Sequence, residues 1–462
     1  FQDNVYLVAV TDYSWNSGNI TFIRSDDGGD SWNNPVDVTS NPLEICHEPD
    51  LSVYKGMGSQ DLYLSWCSRL TEGSFQYNIS FSRSVNNGDS WETPTQLTTS
   101  DDNRYPAITS DEFSNVFVVW KKTYSDEHIT FWDIYMRKSE NGGSTWGEKV
   151  MLTTETFDGN SYSPSYYLKG KNHYFVWRES GNFSGNGNDN DIFFRYKDGE
   201  NNIWHDQVVV SDGDQDGWLS DMPQVVADSS GNVYVVWRDD GSWDGDNTDD
   251  YDICFKKATN HGLGSWSSVT LLSQQTYTNS STYPSLAVNK SGVNTYLAVA
   301  WSELTSFGNS GDDQDIFFRL SNDGGENWDN IELVSINSSE SSYYPDVAMD
   351  GSYVYVVWYE YNSTERIYKV FLAKRLLGGG VWTVKALDEA KDGRYPQIKS
   401  SGDGYLYLSW IRSSGAVLVF SKSEDQGESW SEAVEIEKGV FSSCLLYTSD
   451  AADEGLGVDL GG

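Results

Sequence analysis

The stretch that decides the fold is Ser25-Asp26-Asp27-Gly28-Gly29-Asp30-Ser31-Trp32, because the chain repeats its pattern four more times. The shared pattern is a Ser, an Asp or Asn two residues later, a Gly two residues after that, and a Trp three residues further on. The other copies span residues 84–91, 139–146, 321–328 and 423–430. An Asp or Asn side chain can accept hydrogen bonds from turn amides, and Gly accepts a left-handed backbone. The pattern predicts a hairpin turn whose Trp anchors the outgoing strand on apolar neighbours.

This motif resembles the Asp-box of the sialidase-like β-propellers, and the resemblance extends over residues 1 to about 440. It implies a structural role for the central Asp or Asn of each copy: Asp27, Asn86, Asn141, Asp323 and Asp425. Asp-boxes lie away from the active site in that family. The motif therefore implies the architecture and says little about activity.

Two further landmarks give the number of repeats. Box tryptophans, counting degenerate copies, recur every 48–62 residues at Trp32, Trp91, Trp146, Trp204, Trp266, Trp328, Trp382 and Trp430. A Pro followed by a strand that ends in Trp lies between them, as in Pro223 and Trp237, and Pro suits a first strand position. The pattern predicts an all-β propeller of about eight four-stranded antiparallel blades, whose first unit begins at its second strand. The sialidase enzymes are six-bladed, and a longer ring or one cut by the ends of the sequence also fits.

Composition sets the broad class. The 462-residue chain is 15% aromatic with 42 glycines, which is typical of all-β proteins, and its formal net charge is −38. This charge disfavours nucleic acid and anionic membranes as partners and attracts cations. No apolar run is long enough to insert into a membrane. We expect an extracellular or cell-surface protein, whose acidic surface keeps it soluble and whose natural N-terminus precedes Phe1.

The last 19 residues, 444–462, match no repeat and resemble a translated sequencing adapter. The propeller domain is therefore assigned to residues 1–443, as a fragment of a longer chain. The tail holds four acidic and no basic residues, so the charge of the remainder is −38 + 4 = −34.

The cysteines offer a possible cross-link. If residues 49–66 form a hairpin that turns near Gly56, then Cys46 and Cys67 lie opposite each other and could form a disulfide. Two buried free thiols are the alternative. Cys254 lies in an apolar strand and is expected in the core.

Connectivity separates two faces of the ring. Each unit has four strands, A to D in chain order, of which A is the innermost. The loops that join strand D of one unit to strand A of the next, and strand B to strand C, share one face, the loop-rich face. The A-to-B turns and the Asp-boxes share the other, the Asp-box face.

Three long B-to-C loops, 179–191, 239–252 and 303–315, combine glycines with oxygen ligands that suit calcium. The predicted ligands are Asp189, Asp191, Asp244, Asp246, Asp250, Asp312 and Asp313, although plain solvated loops are the alternative.

The family resemblance also suggests where a catalytic site would lie. Sialidases hold the substrate carboxylate with three arginines and use a Tyr nucleophile paired with a Glu, together with an Asp acid/base. Arg104-Tyr105-Pro106 and Arg394-Tyr395-Pro396 resemble the family's Arg-Ile-Pro motif. The candidates are Arg104, Arg178, Arg238, Arg394, Glu179, Asp239, Tyr105 and Tyr395. Arg178 with Glu179 and Arg238 with Asp239 could equally be structural ion pairs, and no Tyr–Glu pair stands out by spacing.

Three functions remain open. Trp132, Trp218 and Trp243 lie in the loop-rich face, where they could stack on sugars or anchor loops. They favour a secreted or surface-displayed propeller that binds a glycan or an extracellular protein without catalysis. The alternatives are an exo-acting glycoside hydrolase of the sialidase type and a structural module of a larger surface protein.

Overall fold

The structure is a computed structural model. It describes residues 4–14, 17–41, 44–55, 60–70, 76–111, 113–125, 130–153, 161–180, 190–201, 203–211, 219–241, 250–273, 280–304, 310, 313–335, 340–401, 404–414, 417–438, 447–448 and 456–459. These residues form β-strands and turns, with one short 3-10 segment at Asn260–Gly262.

The described strands form eight successive antiparallel units, of which the first two are joined by a parallel bridge between Gly18 and Ile45. Blades 1 and 2 contain β1 (Val5–Ser14), β2 (Ser17–Ser25) and β3 (Val36–Asp37), then β4 (Glu44–Lys55), β5 (Gln60–Leu70), β6 (Asn78–Ser84) and β7 (Thr95–Gln96). Blades 3 and 4 contain β8 (Asp102–Ser110), β9 (Val116–Ser125), β10 (Thr130–Ser139) and β11 (Val150–Met151), then β12 (Ser161–Lys169), β13 (Asn172–Glu179), β14 (Asp191–Asp198), β15 (Ile203–Trp204) and β16 (Val208–Val209).

Blades 5 and 6 contain β17 (Ser220–Ala227), β18 (Val233–Asp239), β19 (Asp252–Ala258) and β20 (Thr270–Leu271), then β21 (Ser281–Ser291), β22 (Asn294–Leu304), β23 (Gln314–Ser321) and β24 (Glu332–Leu333). Blades 7 and 8 contain β25 (Ser342–Met349), β26 (Tyr353–Asn362), β27 (Ile367–Leu376) and β28 (Thr383–Lys391), then β29 (Gly393–Ser400), β30 (Leu406–Arg412), β31 (Val417–Ser423) and β32 (Val434–Lys438). The predicted all-β propeller of about eight four-stranded blades is confirmed.

Two short strands lie in the tail. β33 (Tyr447–Thr448) pairs with β1 and takes the inner position of blade 1, and β34 (Leu456–Asp459) pairs with the inner strand of blade 4, β12. The assignment of residues 444–462 to an adapter stays a prediction.

The Asp-box turns have the predicted geometry. The Ser25 hydroxyl donates to the Asp27 carboxylate over 2.6 Å and accepts the Gly29 amide over 2.7 Å. Asp27 in turn accepts the Ser31 amide over 2.8 Å. Equivalent bonds from the amide four residues later reach Asn86, Asn141, Asp323 and Asp425. Each box therefore closes on itself with its own polar side chains.

The box tryptophans connect neighbouring blades, which the sequence did not predict. Six of the eight box tryptophans pack edge-on against a strand-C aromatic ring of the preceding blade, with ring centroids 4.9–5.2 Å apart in the pairs Trp91–Phe22, Trp146–Phe81, Trp266–Phe194, Trp328–Phe255, Trp382–Phe318 and Trp32–Phe420. We call this contact the Trp–Phe lock. The box glycine makes room for it: a Cβ on Gly325, whose φ is +78°, would lie 2.5 Å from the Phe255 ring. Because Trp32 of blade 1 meets Phe420 of blade 8, the lock also closes the ring.

Seven inner strands share a bulge at the residue before Pro. That residue has a left-handed backbone with φ between 45° and 55° in Glu48, Tyr105, Ser163, Met222, Tyr283, Tyr344 and Tyr395. The strand register shifts at the same point. The sequence analysis placed the Pro at the first position of the strand, whereas in the structure it lies inside the strand. A bulge leaves one residue without a ladder partner, so the missing Pro amide costs no hydrogen bond there.

The predicted disulfide is wrong. The hairpin pairs Cys46 with Ser68, and His47 with Cys67, because the bulge before Pro49 sets the register. Directly paired residues share a sheet face and neighbours alternate, so the two thiols lie on opposite faces. Both are free and buried, Cys46 in the core shared with blade 1 and Cys67 in the core shared with blade 3. Cys254 is a buried core residue, as predicted.

Candidate functional site

Two rows of side chains set the chemistry of the loop-rich face. The first row consists of the residues that lie two positions before the Pro of each inner strand. The second row consists of their cross-strand partners, which directly follow the Trp of strand B. The register pairs Arg104 with Lys121 in blade 3 and Asp221 with Arg238 in blade 5. The Pro and the Trp repeat between blades while these rows vary, so the rows distinguish one blade from another.

The predicted arginines divide into separate contacts. Arg178 and Arg238 come together: Nη1 of Arg178 lies 3.2 Å, and Nη2 of Arg238 3.0 Å, from the same carboxylate oxygen of Asp221. Arg104 pairs with Asp102 over 2.9 Å and lies 4.3 Å above the ring of Tyr77. Three of the four candidate arginines thus bind carboxylates of the chain itself.

Glu179 and Asp239 are buried inside the sheets, where they accept hydrogen bonds from neighbouring strands. The Asp239 carboxylate accepts the Trp237 indole N–H over 2.9 Å and the Ser220 hydroxyl over 2.6 Å. Glu179 likewise accepts the Ser161 hydroxyl over 2.5 Å. The same arrangement recurs at two residues that the sequence analysis missed, Glu303 and Glu360. The Trp-x-Glu/Asp spacing was the available signal, and it indicates a structural role.

Glu48 is a site residue that the sequence analysis missed. It holds the position before Pro49 where four other blades have Tyr, and its carboxylate accepts the Tyr105 amide over 2.9 Å and the Cys67 thiol over 3.2 Å. Burial raises the pKa of Glu48 more than these hydrogen bonds and nearby Arg104 lower it. Lys121 lies 4.6 Å from the ring centre of Tyr105, and burial lowers the pKa of its ammonium.

Trp132 lies beside this group. The Lys121 ammonium is 5.4 Å from the Trp132 ring, so the predicted aromatic residue is in contact with the cationic side of the face. Trp218 and Trp243 lie outside the described residues.

A cluster of tyrosines covers the same face in blades 6 to 8. We call it the tyrosine platform, and its members are Tyr283, Tyr343, Tyr344, Tyr359, Tyr368 and Tyr395. Tyr283 and Tyr344 stack with centroids 4.0 Å apart and their hydroxyls hydrogen-bonded over 3.1 Å. Tyr395 meets Tyr344 edge-on at 5.0 Å and is 43% exposed. Burial and neighbouring phenols raise the pKa of Tyr359, so its hydroxyl remains a donor at neutral pH.

Arg394, the fourth predicted arginine, belongs to this platform. Its guanidinium carbon lies 4.8 Å from the ring centre of Tyr368 and 5.7 Å from that of Tyr395. The loop-rich face therefore has a charged half in blades 2 to 5 and a tyrosine half in blades 6 to 8, and the tyrosine half contains one arginine, Arg394.

The predicted calcium ligands are only partly described. Asp189, Asp244, Asp246 and Asp312 lie outside the described residues. Asp191 accepts the Ser211 hydroxyl over 2.6 Å, and the Asp252–Ser273 and Asp315–Ser335 pairs repeat this bond, which indicates a structural clamp. Asp250 and Asp313 are present, but among the residues that the structure places no group of three His, Cys, Asp or Glu side chains could hold a metal.

In the same part of the chain, no helix is long and apolar enough to cross a membrane.

Comparisons with known proteins return structural likenesses only. No protein-family model matches the sequence, and no curated protein matches it. Among solved structures, a leech intramolecular trans-sialidase is similar at 14% identity and a TM-score of 0.38, covering 92% of this chain and 71% of that one. The NanB sialidase from Streptococcus pneumoniae is 13% identical at a TM-score of 0.37, covering 94% and 88%. An alpha-L-arabinanase from Penicillium chrysogenum is 15% identical at a TM-score of 0.41, covering 83% and 94%.

Scores this low carry no argument about activity. The architecture follows from the chain's own features: eight antiparallel units, five Asp-box turns and a Trp–Phe lock that closes the ring. On those features the chain is a β-propeller, and its repeated turns resemble the Asp-box of the sialidase-like propellers.

Proposed function

We propose that this propeller is a non-catalytic glycan-binding module whose ligand stacks on the tyrosine platform. The observation that carries the proposal is the contiguous set of phenol rings around Tyr395, which is 43% exposed on the loop-rich face. Aromatic rings present flat apolar surfaces that suit the C–H faces of sugar rings, and tyrosine adds a hydroxyl for hydrogen bonding. Tyr361, 40% exposed and 5.0 Å from Tyr368, extends the same surface along the blade 7 hairpin.

The internal ion pairs support the absence of catalysis. An arginine already bound to Asp221 or Asp102 is not available to a substrate carboxylate unless that pair first breaks. Glu179 and Asp239 are buried and hydrogen-bonded within the sheets, out of reach of a ligand above the face.

The test is binding to a panel of immobilised oligosaccharides. We expect Tyr395→Ala to weaken binding about fivefold or more, since stacking on one aromatic ring contributes on the order of 1 kcal/mol or more. The matched control is Tyr405→Ala, which removes a ring of similar exposure, 37%, from the A-to-B turn of the same blade on the Asp-box face. Equal binding by the two variants would sink the proposal.

A sialidase-type glycoside hydrolase is the alternative, and Glu48 favours it. A carboxyl with a raised pKa beside Tyr105 and Lys121 resembles a general acid in its surroundings. Our proposal expects no turnover of a fluorogenic sialoside. Turnover that Arg104→Ala abolishes would establish the hydrolase instead. The absence of any saccharide binding would leave the third possibility, a structural module of a larger surface protein.

We also propose that the protein acts outside the cell or on its surface and that its acidic B-to-C loops bind calcium. The charge of −38 and the glycine-rich acidic loop sequences support the calcium proposal. An ion that binds only the folded state raises its stability. We therefore expect a higher melting temperature in calcium than in chelator, and equal temperatures would contradict it.

A further inference from the structure

We propose that Lys121 is a nucleophilic amine that captures aldehydes as imines, with the apolar body of the aldehyde stacked on Tyr105 and Trp132. This covalent binding site lies in the charged half of the loop-rich face, separate from the tyrosine platform. The inference goes beyond the proposed glycan-binding function and does not depend on it.

The first argument is that the Lys121 ammonium lacks the partners that hold a lysine in its charged form. Among the residues that the structure describes, it makes no hydrogen bond and no ion pair, and it lies above the rings of Tyr105 at 4.6 Å and Trp132 at 5.4 Å. The adjacent Lys122, by contrast, is paired with Asp101 over 3.0 Å. The Lys121 nitrogen is therefore available to react.

The second argument is that the surroundings of Lys121 disfavour its charged form. Burial lowers the pKa of the ammonium, and the positive charges of Arg104 and Arg178 lower it further, against the opposite effect of Glu48 and Asp102. Arg104 is the direct cross-strand partner of Lys121, so two cations lie side by side on one face of the blade 3 sheet. A lysine that is desolvated beside another cation is a better nucleophile, because more of it is uncharged at neutral pH.

The third argument is the shape of the site. Lys121, Tyr105 and Trp132 are all half-buried, so the group is open to solvent while its rings form an apolar wall. Trp132 lies two residues from Ile134, the partner of Lys121 on strand β10, which places the indole diagonally beside the amine. Lys197 shows why access matters: burial lowers its pKa to about 8, but it is only 2% exposed and closed to reagents.

The proposed step is a condensation that needs no further reagent. The neutral Lys121 nitrogen attacks the carbonyl carbon, a C–N bond forms, and the carbonyl oxygen leaves as water. The two hydrogens of that water come from the amine. Glu48 transfers them, because a carboxyl whose pKa is raised by burial can both accept and donate protons.

The test is reductive trapping of the imine. The native protein is incubated at pH 7 with benzaldehyde or with propanal and cyanoborohydride, whose hydride converts the imine into a stable secondary amine. Peptide mass spectrometry then gives the labelling rate of each lysine. We expect Lys121 to react faster than Lys399, an exposed lysine of strand β29. The ratio of the benzaldehyde rate to the propanal rate should be about fivefold higher at Lys121, because stacking on a ring contributes on the order of 1 kcal/mol.

The variants assign this reactivity to the site. Lys121→Arg should remove the label from the peptide that carries both neighbouring lysines, and Lys122→Arg, the matched control, should keep it. Trp132→Ala should lower the rate ratio toward that of Lys399. Arg104→Gln removes the adjacent cation, so the pH at which labelling of Lys121 is half-maximal should rise. Melting temperatures confirm that each variant folds.

Two results would overturn the proposal. One is a native protein in which Lys121 is labelled no faster than Lys399, a comparison that needs no variant. The other is a rate ratio that Trp132→Ala leaves unchanged. Either result leaves the glycan-binding proposal standing, since the tyrosine platform lies in other blades.

Discussion

Asp27 lies in a turn whose hydrogen bonds all favour its ionised form. Burial alone would raise the pKa of the carboxyl, but hydrogen bonds from Ser25 and Ser31 outweigh it and lower the pKa from 3.8 to about 2. Asp425 has the same balance and a pKa of about 2. Because the folded-state pKa lies below the unfolded one, the stability that these groups contribute is present above pH 3.8 and is lost as the pH falls toward 2.

We therefore predict that Asp27→Asn combined with Asp425→Asn flattens the acid end of the stability curve. Asn86 and Asn141 already occupy this box position with the same hydrogen bond, so the double variant should melt near the native temperature at pH 7. Between pH 4 and pH 2 its melting temperature should fall less than that of the native protein. Parallel melting curves over that range would show that the box carboxylates are not responsible.

The Asp-box could be predicted from the sequence because its partners are local. Each of its bonds joins residues no more than a few positions apart, so spacing alone defines the turn. The arginine contacts could not be predicted in this way. Asp221, which binds Arg178 and Arg238, comes from a different strand from both, and nothing in the local sequence of either arginine points to it.

The Trp–Phe lock is the element that makes one blade depend on the next. Phe255 of strand β19 lies under Trp328 with ring centroids 5.0 Å apart, and it is fully buried. We predict that Phe255→Ala lowers the free energy of unfolding by about 3–5 kcal/mol, because it leaves a cavity between two blades. Urea unfolding measures this loss.

The control for that experiment is Val293→Ala. Val293 is 97% exposed, and its loss should change stability by less than about 0.5 kcal/mol. A Phe255→Ala variant as stable as this control would mean that the blades are held mainly by other contacts.

The inner-strand bulge shows why element-level prediction failed for the cysteines. Alternating apolar residues predict a hairpin, but they do not reveal a bulge, whose extra residue shifts the cross-strand register by one position. At residues 46–50 that extra residue moved Cys46 and Cys67 to opposite faces. The Pro that marks the bulge was visible in the sequence, whereas the left-handed residue before it was not.

At the scale of the whole molecule, the ring closes through the same Trp–Phe contact that joins five other pairs of neighbouring blades. Trp32 and Phe420 have centroids 5.2 Å apart, and Lys422 of blade 8 adds an ion pair to Asp30 of blade 1 over 2.9 Å. We predict that Phe420→Ala destabilises the protein about as much as Phe255→Ala, since both remove one ring of the same lock. The amides of residues 5–10 and 417–423 should then exchange faster with solvent.

A much smaller effect at Phe420 than at Phe255 would indicate an open seam between blades 8 and 1. The eight blades could be counted from the tryptophan spacing, but closure could not be predicted, because periodicity does not show whether the first and last units meet. The division of the loop-rich face into charged and tyrosine halves was hidden for a similar reason, since it depends on which blades stand side by side.

The left-handed residue before each inner-strand Pro has a consequence for how such a ring can diversify. Glu, Ser, Met and Tyr all occupy this position with nearly the same backbone angles, so the conformational strain, about 1–3 kcal/mol for each residue, belongs to the scaffold whatever the side chain. A mutation at this position exchanges one side chain on the loop-rich face and leaves the hydrogen bonding of the surrounding sheet unchanged. The side chain at this position can therefore change without a change of fold, so such propellers can vary the chemistry of the loop-rich face without rebuilding their blades.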